Sequence, residues 1–148
     1  MRRALLTGTL AVGVLDLLDA FLFFGARGVR PIRICQSIAA GLLGRAAFAG
    51  GWRTATLGVA LHFLIAFTVV LVLIAAARRI RPLTEHWVMT GLVYGIGVYV
   101  VMNVIVVPLS AAGGGTRTWP VVLNGLLIHM FGVGIPASLA ARAAVRAR

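Results

Sequence analysis

The chain has 148 residues, of which 61% are hydrophobic and 11% are charged; its 14 basic residues, all arginines, exceed three acidic ones and give a net charge of +11. This composition excludes an ordinary soluble domain, and a single cysteine excludes a disulfide scaffold. Because a membrane span needs about 20 apolar residues, the length allows four or five spans and excludes a further soluble catalytic or nucleotide-binding domain. We therefore predict an all-α integral membrane protein in which residues 1–148 form a single transmembrane domain.

The first predicted span covers about residues 4–26. Its apolar run is too long for a signal-peptide core, contains Asp16 and Asp19, and ends in Phe-Phe-Gly-Ala-Arg rather than at a small-residue cleavage site. We therefore expect this segment to remain in the protein as a membrane span. The arginines, glycine and proline of residues 27–31 mark its end.

Residues 34–49 form a shorter segment, rich in Ala and Gly, that also carries Gln36 and Arg45. A helix of this length reaches only about 24 Å, which is less than the roughly 30 Å of a bilayer core. The segment is therefore predicted to be a short re-entrant or interfacial helix rather than a span.

Three more apolar runs predict spans over about residues 54–77, 87–109 and 120–141, with a glycine-rich loop over 111–118. Four spans with both termini on one side place eight arginines on that side and six on the other. Five spans, with 34–49 included, place nine arginines in the cytoplasm, which the positive-inside rule prefers. The charges alone thus leave four and five spans open.

Similarity between the two halves of the chain favours four spans. The first and third predicted spans both contain Thr-Gly followed by Gly-Val, and in the second and fourth a Trp precedes a His by ten residues. These pairs are Trp52 with His62 and Trp119 with His129. Two tandem helical hairpins of the same orientation would be related by an axis along the membrane normal, as in some transporters.

Polar side chains are predicted at similar depths in all four spans. Trp favours the membrane interface, so a His ten residues along the helix lies about 15 Å deeper, near the midplane. Asp16 and Asp19 share one face of the first span because they are three residues apart. Arg45 is either a counter-ion of the two aspartates, if segment 34–49 folds back into the bundle, or a group that extends to the lipid headgroups. Since ionisable groups in a bilayer usually face the bundle interior or a cavity, we predict an ion, proton or substrate-binding site. Its members are Asp16, Asp19, His62, Asn103 and His129.

This cluster is compatible with three functions. The leading hypothesis is a transporter or channel for a small solute or ion, because His and buried carboxylates can exchange protons near neutral pH. A second is binding of haem b or a divalent metal through His62 and His129, with Asp19 as a further metal ligand. A third is a structural or assembly role, in which the polar groups form interhelical hydrogen bonds. No serine lies in a nucleophile-elbow sequence, so we predict no catalytic residue and do not expect an enzyme.

The arginine clusters also indicate the partners. They flank the spans, where they can meet the anionic headgroups of the lipid bilayer, and without a soluble core they do not indicate nucleic acid. A lone four-span bundle encloses little volume, so a permeation path would form more easily between protomers. We therefore expect a homo-oligomer.

Several short motifs carry a resemblance to a known group. The run Ile-Ala-Ala-Gly-Leu-Leu-Gly-Arg-Ala-Ala-Phe-Ala-Gly-Gly over 38–51, His-Phe-Leu-Ile-Ala-Phe from His62, Tyr94-Gly95, Met102-Asn103 and Pro108-Leu109 resemble the YagU-like set of small uncharacterised bacterial inner-membrane proteins. The resemblance spans most of the chain and implies a multi-pass protein of the bacterial inner (plasma) membrane. It implies no activity and no catalytic residue. The second aspartate of the first span departs from the group's pattern.

Overall fold

The structure, a computed structural model, describes residues 1–113 and 117–146. Gly114 and Gly115 of the predicted loop, and Arg148 of the arginine count, lie outside these ranges. The described residues form helices and contain no strand. Five helices follow one another along the chain: α1 (Arg2–Gly25), α2 (Pro31–Leu43), α3 (Gly51–Ala77), α4 (Trp87–Leu109) and α5 (Trp119–Arg146). A 3₁₀ helix (Gly44–Ala49) follows α2, and a single helical turn (Pro82–Glu85) precedes α4.

Four of these helices, α1, α3, α4 and α5, are long and apolar enough to cross a membrane. This confirms the predicted fold class, an all-α multi-pass membrane protein. The predicted span 87–109 coincides with α4, whereas α5 continues from the predicted end at residue 141 to Arg146. Three of the six residues from 141 to 146 are alanines, the strongest helix formers, so the helix persists beyond its apolar part.

Contacts between helix ends define two faces of the bundle. At the first, which we call the terminal face, Met1 lies against Arg78 at the end of α3. The guanidinium of Arg142, near the end of α5, lies 5.6 Å from the ring centre of Trp87 at the start of α4. The opposite side, which we call the α2 face, holds the end of α1, the start of α3, the end of α4 and the start of α5. The beginning of α1 and the end of α5 therefore share one face, as four spans require.

The segment predicted to be re-entrant or interfacial is α2 with its 3₁₀ helix. α2 begins at Pro31, whose fixed φ suits a first helical turn, and ends before Gly44, whose φ of +59° favours glycine. The carbonyl of Gly41 accepts a hydrogen bond at 3.0 Å from the N–H of Ala111, just beyond α4. Both ends of α2 therefore lie at the α2 face, and the five-span arrangement preferred by the arginine distribution is wrong.

α2 is fixed to the first turns of α3. The buried Gln36 amide donates to the carbonyl of Gly51 at 3.0 Å, and the Thr54 hydroxyl donates to the carbonyl of Ala47 at 2.6 Å. Gly58 lies directly against the backbone carbonyl of Cys35, where any side chain would clash. These contacts satisfy polar groups that lipid could not, so α2 forms part of the bundle.

The half of the bundle nearest the terminal face is closely packed. Its core consists mainly of small and β-branched residues from α1, α3 and α5, among which Val70 and Ala137 have no exposed surface. Small residues let helix backbones approach closely without leaving voids. α4 joins through Gly91 and Gly95, which lie against the backbone of α5 at Gly134 and His129. The interior is therefore filled on this side.

Two π-helical segments widen α4 and α5, at Val101–Val106 and His129–Gly134. Each ends two residues before a proline, Pro108 in α4 and Pro136 in α5. A proline inside a helix lacks an N–H donor and crowds the carbonyl four residues earlier, so the preceding turn is displaced from α geometry. Such segments are frequent at functional sites, and these two contain Asn103 and His129.

Candidate functional site

Two adjoining cavities lie between the spans, in the half of the bundle nearest the α2 face. The smaller has a volume of about 160 Å³ and the larger about 540 Å³. Seven residues line both cavities and make them continuous: Asp16, Ala20, Phe24, Asn103, Arg117, Val121 and His129. The larger cavity reaches the α2 face at Ser110 and Ala112, and toward the terminal face it stops at the buried Val12, Ala66 and Val133.

All five predicted site residues line this pair of cavities. Asp16, Asn103 and His129 line both, Asp19 lines the smaller and His62 the larger. The five residues therefore lie around the same pair of cavities, because each span presents its polar residue inward. The role assigned to these residues stays a prediction.

His62 joins α3 to α1. Its Nε2 atom lies 2.8 Å from the carbonyl oxygen of Gly13, and its Nδ1 atom lies 4.0 Å from Oδ2 of Asp16. A carbonyl only accepts hydrogen bonds, so Nε2 carries the proton. In the neutral ring Nδ1 is then a lone-pair acceptor that faces a carboxylate, which is unfavourable unless a second proton resides on His62 or Asp16. His62 therefore links α3 to α1 and places its second ring nitrogen beside the Asp16 carboxylate.

Asp19 is held by an amide instead of a positive charge. Nδ2 of Asn124, on α5, donates to Oδ2 of Asp19 at 2.7 Å. In the part of the chain that the structure describes, no Arg or His nitrogen lies within 4.0 Å of this carboxylate. A neutral donor orients the carboxyl group without cancelling its charge. Asp19 therefore remains available to a proton or a cation that enters the cavity.

His129 and Tyr99 form the opposite wall of the smaller cavity. Nδ1 of His129 donates at 2.8 Å to the carbonyl of Gly125 on its own helix, and its ring meets that of Tyr99 edge to face, with centroids 5.5 Å apart. Gly125 makes room for the Tyr99 ring, which a side chain there would overlap. With Nδ1 engaged, Nε2 of His129 is the ring nitrogen left to interact with the cavity.

Arg117 provides the basic group of the site, whereas the predicted counter-ion Arg45 does not reach it. Arg45 lies exposed on the 3₁₀ helix and lines neither cavity. Arg117 lines both, and its Nη1 atom donates at 3.1 Å to the carbonyl of Asn103. The amide of Asn103 in turn donates to the carbonyl of Tyr99 at 2.8 Å. Asn103 itself lies in the π segment of α4.

Sequence reasoning missed three residues of the site: Tyr99, Arg117 and Asn124. Asn124 lies only five residues after Trp119, so an argument based on depth places it near the interface, away from the midplane. A search of the span faces would have found it, because Asn124, Ile128 and His129 lie on neighbouring positions of one helix face. Arg117 could not be found in this way, since it precedes the first helical turn of α5.

This geometry offers little support for a metal or haem site. Among the described residues, no group of three His, Cys, Asp or Glu side chains lies close enough together to hold a metal ion. Both ring nitrogens of His62 are oriented by protein groups, Gly13 and Asp16. Ligation of haem through Nε2 of His62 would first require the hydrogen bond between that atom and Gly13 to break.

No protein-family model, curated protein or solved structure matches the chain. The function must therefore be argued from the residues of the cavities. Their charged groups are Asp16, Asp19 and Arg117, which give one net negative charge when both histidines are neutral. A largely apolar chamber that contains a few ionisable side chains and stops at the packed core can bind a small solute and couple its binding to protonation.

Proposed function

We propose that this membrane protein carries a small solute or ion across the bilayer, with the paired cavities as its binding chamber and Asp16 and Asp19 as its proton-exchanging groups. One observation carries the proposal: every Asp and His side chain of the four spans lines these cavities. Ionisable groups are expensive in a bilayer and are retained where they act on ions, protons or polar solutes. Interhelical hydrogen bonds alone do not require two carboxylates, Asp16 and Asp19, in one cavity.

The shape of the chamber fits one state of an alternating-access cycle. The cavities extend to the α2 face and stop at the packed core of the terminal face. Passage then requires that core to open, and the π segment of α5 adjoins it, because Val133 belongs to both. Broken or widened helices at mid-membrane are a recurrent feature of transporters.

We further propose that the protein resides in the bacterial inner membrane, in line with its resemblance to the YagU-like group, with its arginine clusters against anionic headgroups. A homo-oligomer stays a prediction. Its original reason, that one bundle encloses too little volume, does not hold, because about 540 Å³ lies within a single chain. Each protomer can therefore contain its own chamber.

The test is proton flux in proteoliposomes under an imposed pH gradient. We expect Asp19→Asn to lower the initial rate at least about tenfold, because the variant keeps the shape of the side chain but loses its proton. Glu85→Gln is the matched control. Glu85, the third acidic residue of the chain, lies exposed in the turn at the terminal face, and its loss should leave the rate unchanged.

Equal rates for Asp19→Asn, Glu85→Gln and the unaltered protein, all above the rate of empty liposomes, would contradict the assignment of this site. Absence of flux above that of empty liposomes would contradict the transport proposal itself. A Soret band or stoichiometric metal that disappears in the His62→Ala, His129→Ala double variant would favour the cofactor hypothesis instead. A stable partner retained in mild detergent, without flux, would favour the assembly hypothesis.

A further inference from the structure

The charges that line the chamber specify the charge of its occupant. Asp16 and Asp19 face the smaller cavity three residues apart, and Arg117 is the one Arg among the described lining residues. Arg117 lies at the mouth, where it binds a backbone carbonyl and makes no ion pair within 4.0 Å of either aspartate. The chamber thus has one net negative charge with neutral histidines. In a low dielectric this charge attracts one positive charge and repels an anion.

The side chains of the cavity walls indicate the chemistry of the uncharged part of the solute. Phe24 and Tyr99 line the smaller cavity beside the carboxylates and offer aromatic surfaces to a cation. The larger cavity is lined mainly by apolar side chains from all five helices, including Leu17, Ile38, Ile65, Val98 and Met102. Its volume of about 540 Å³ falls within the range of roughly 300–1,000 Å³ found for small-molecule pockets.

We propose that the solute is a monovalent organic cation, whose charged group lies at Asp16 and Asp19 and whose apolar body occupies the larger cavity. This inference rests on the proposed function and names its substrate class. An inorganic cation fits less well, since it needs several oxygen ligands in a small polar shell and most of the chamber wall is apolar.

The same geometry makes the cation and the proton competitors. A proton taken up in the chamber would cancel its net negative charge, so a bound cation competes with that proton and releases it to solvent. The other charged or titratable groups that face the carboxylates are Arg117, His129 and Tyr99. Cation binding should therefore weaken as pH falls, and it should release protons in unbuffered solution.

The probe we choose is tetraphenylphosphonium, measured by equilibrium dialysis against the purified full chain in mild detergent. Tetraphenylborate, which has nearly the same shape and the opposite charge, is the matched control ligand. We expect the phosphonium to bind, the borate not to bind, and Asp19→Asn and Asp16→Asn each to weaken phosphonium binding at least about tenfold. Glu85→Gln should bind as the unaltered protein does.

A second variant tests whether phosphonium binding requires the space in the cavities as well as their negative charge. Ala20 lines both cavities, so Ala20→Phe should fill their junction and abolish phosphonium binding with both carboxylates in place. Binding that is insensitive to Asp16→Asn, Asp19→Asn and Ala20→Phe, or equal binding of the borate, would overturn the inference. The two proposals can be contradicted separately. Proton flux that depends on Asp19, without phosphonium binding, would contradict only the proposed substrate class. Phosphonium binding without any flux would contradict only the transport proposal.

Discussion

Asp19 and Asp16 share a helix face and a cavity but have different partners, and this difference gives each a role. Asp16 lies 4.0 Å from Nδ1 of His62, whereas Asp19 is oriented by the amide of Asn124. Asp16 is therefore paired with an ionisable group and Asp19 with a neutral one, so the two carboxylates differ in what surrounds them. Replacement of His62 or Asn124 should therefore alter the site while both carboxylates remain in place.

Asn124→Leu is expected to destabilise the protein and to slow flux, because Asp19 then loses the donor that orients it. The expected cost in free energy of unfolding is about 1 kcal/mol, typical of hydrogen bonds between helices in membranes. Thermal unfolding in detergent and a double-mutant cycle with Asp19→Asn measure it. Thr68→Val is the control, since the Thr68 hydroxyl is exposed and bonds only to its own helix at Leu64. Additive effects of the two cavity variants would show that the pair is not coupled.

The sequence predicts which ionisable residues face the interior of the bundle, but not which side chains form hydrogen bonds with each other. Asp16, His62 and His129 were found because the burial cost of an ionisable group forces it inward wherever it lies in an apolar run. The Asn124–Asp19 bond joins residues 105 positions apart. Its geometry depends on how α1 and α5 rotate about their axes, which apolar helices with little amphipathic pattern do not specify.

At the scale of the helix, glycines determine where backbones meet. α4 contributes few buried side chains and relies on Gly91 and Gly95 to approach α5. Gly97, two residues after Gly95, faces open space. Hydropathy predicted the approximate limits of the spans. It did not predict the π segments, because a proline indicates that the preceding turn departs from α geometry but not which geometry it adopts.

Gly95→Ala should lower the free energy of unfolding by about 1–3 kcal/mol, because the added methyl group meets the backbone of His129 and forces α4 away from α5. Gly97→Ala is the matched control on the same helix. It should be neutral or stabilise by up to about 1 kcal/mol, since Ala favours helix. Both are measured as thermal midpoints in the same detergent. Equal destabilisation by the two variants would contradict the α4–α5 contact.

α2 offers a chemical test through Cys35. Its thiol is 7% exposed against α3, and burial raises its pKa above the ordinary value. Less thiolate is then present at neutral pH, so we expect maleimide to label Cys35 at least about tenfold more slowly than a thiol on the exposed face of α2, with a rate that increases as pH rises. The comparison is Ser37→Cys in a Cys35→Ser background, because Ser37 lies exposed on the same helix. Equal rates at pH 7 would contradict the packing of α2.

At the scale of the whole molecule, the four spans divide into a sealed half and an open half. The Ala-rich core of α1, α3 and α5 closes the terminal face, and α2 with the ends of α4 and α5 surrounds the mouth at the α2 face. The predicted tandem repeat stays a prediction. His62 bonds to a neighbouring helix and His129 to its own, so these equivalent positions have different surroundings.

The topology predicts that both chain termini lie on one side of the membrane and the connection between α1 and α2 on the other. Terminal tags should therefore be cleaved by protease from the same side of sealed vesicles. A Val29→Cys substitution in the Cys35→Ser background should be labelled from the opposite side, since Val29 lies exposed in that connection. Tags found on opposite sides would contradict the four-span arrangement.

The most direct test of the account is the accessibility of the chamber itself, measured with a membrane-impermeant cationic methanethiosulfonate reagent on sealed, oriented vesicles. Ala20→Cys in the Cys35→Ser background places a thiol where the two cavities join, and Leu18→Cys, two residues away and exposed on the outer surface of α1, is its control in lipid. We predict that the thiol at position 20 reacts from the α2 face only, and faster with the cationic reagent than with an anionic one, while that at position 18 does not react. An unreactive thiol at position 20, or equal reaction from both faces, would contradict a one-sided, negatively charged chamber.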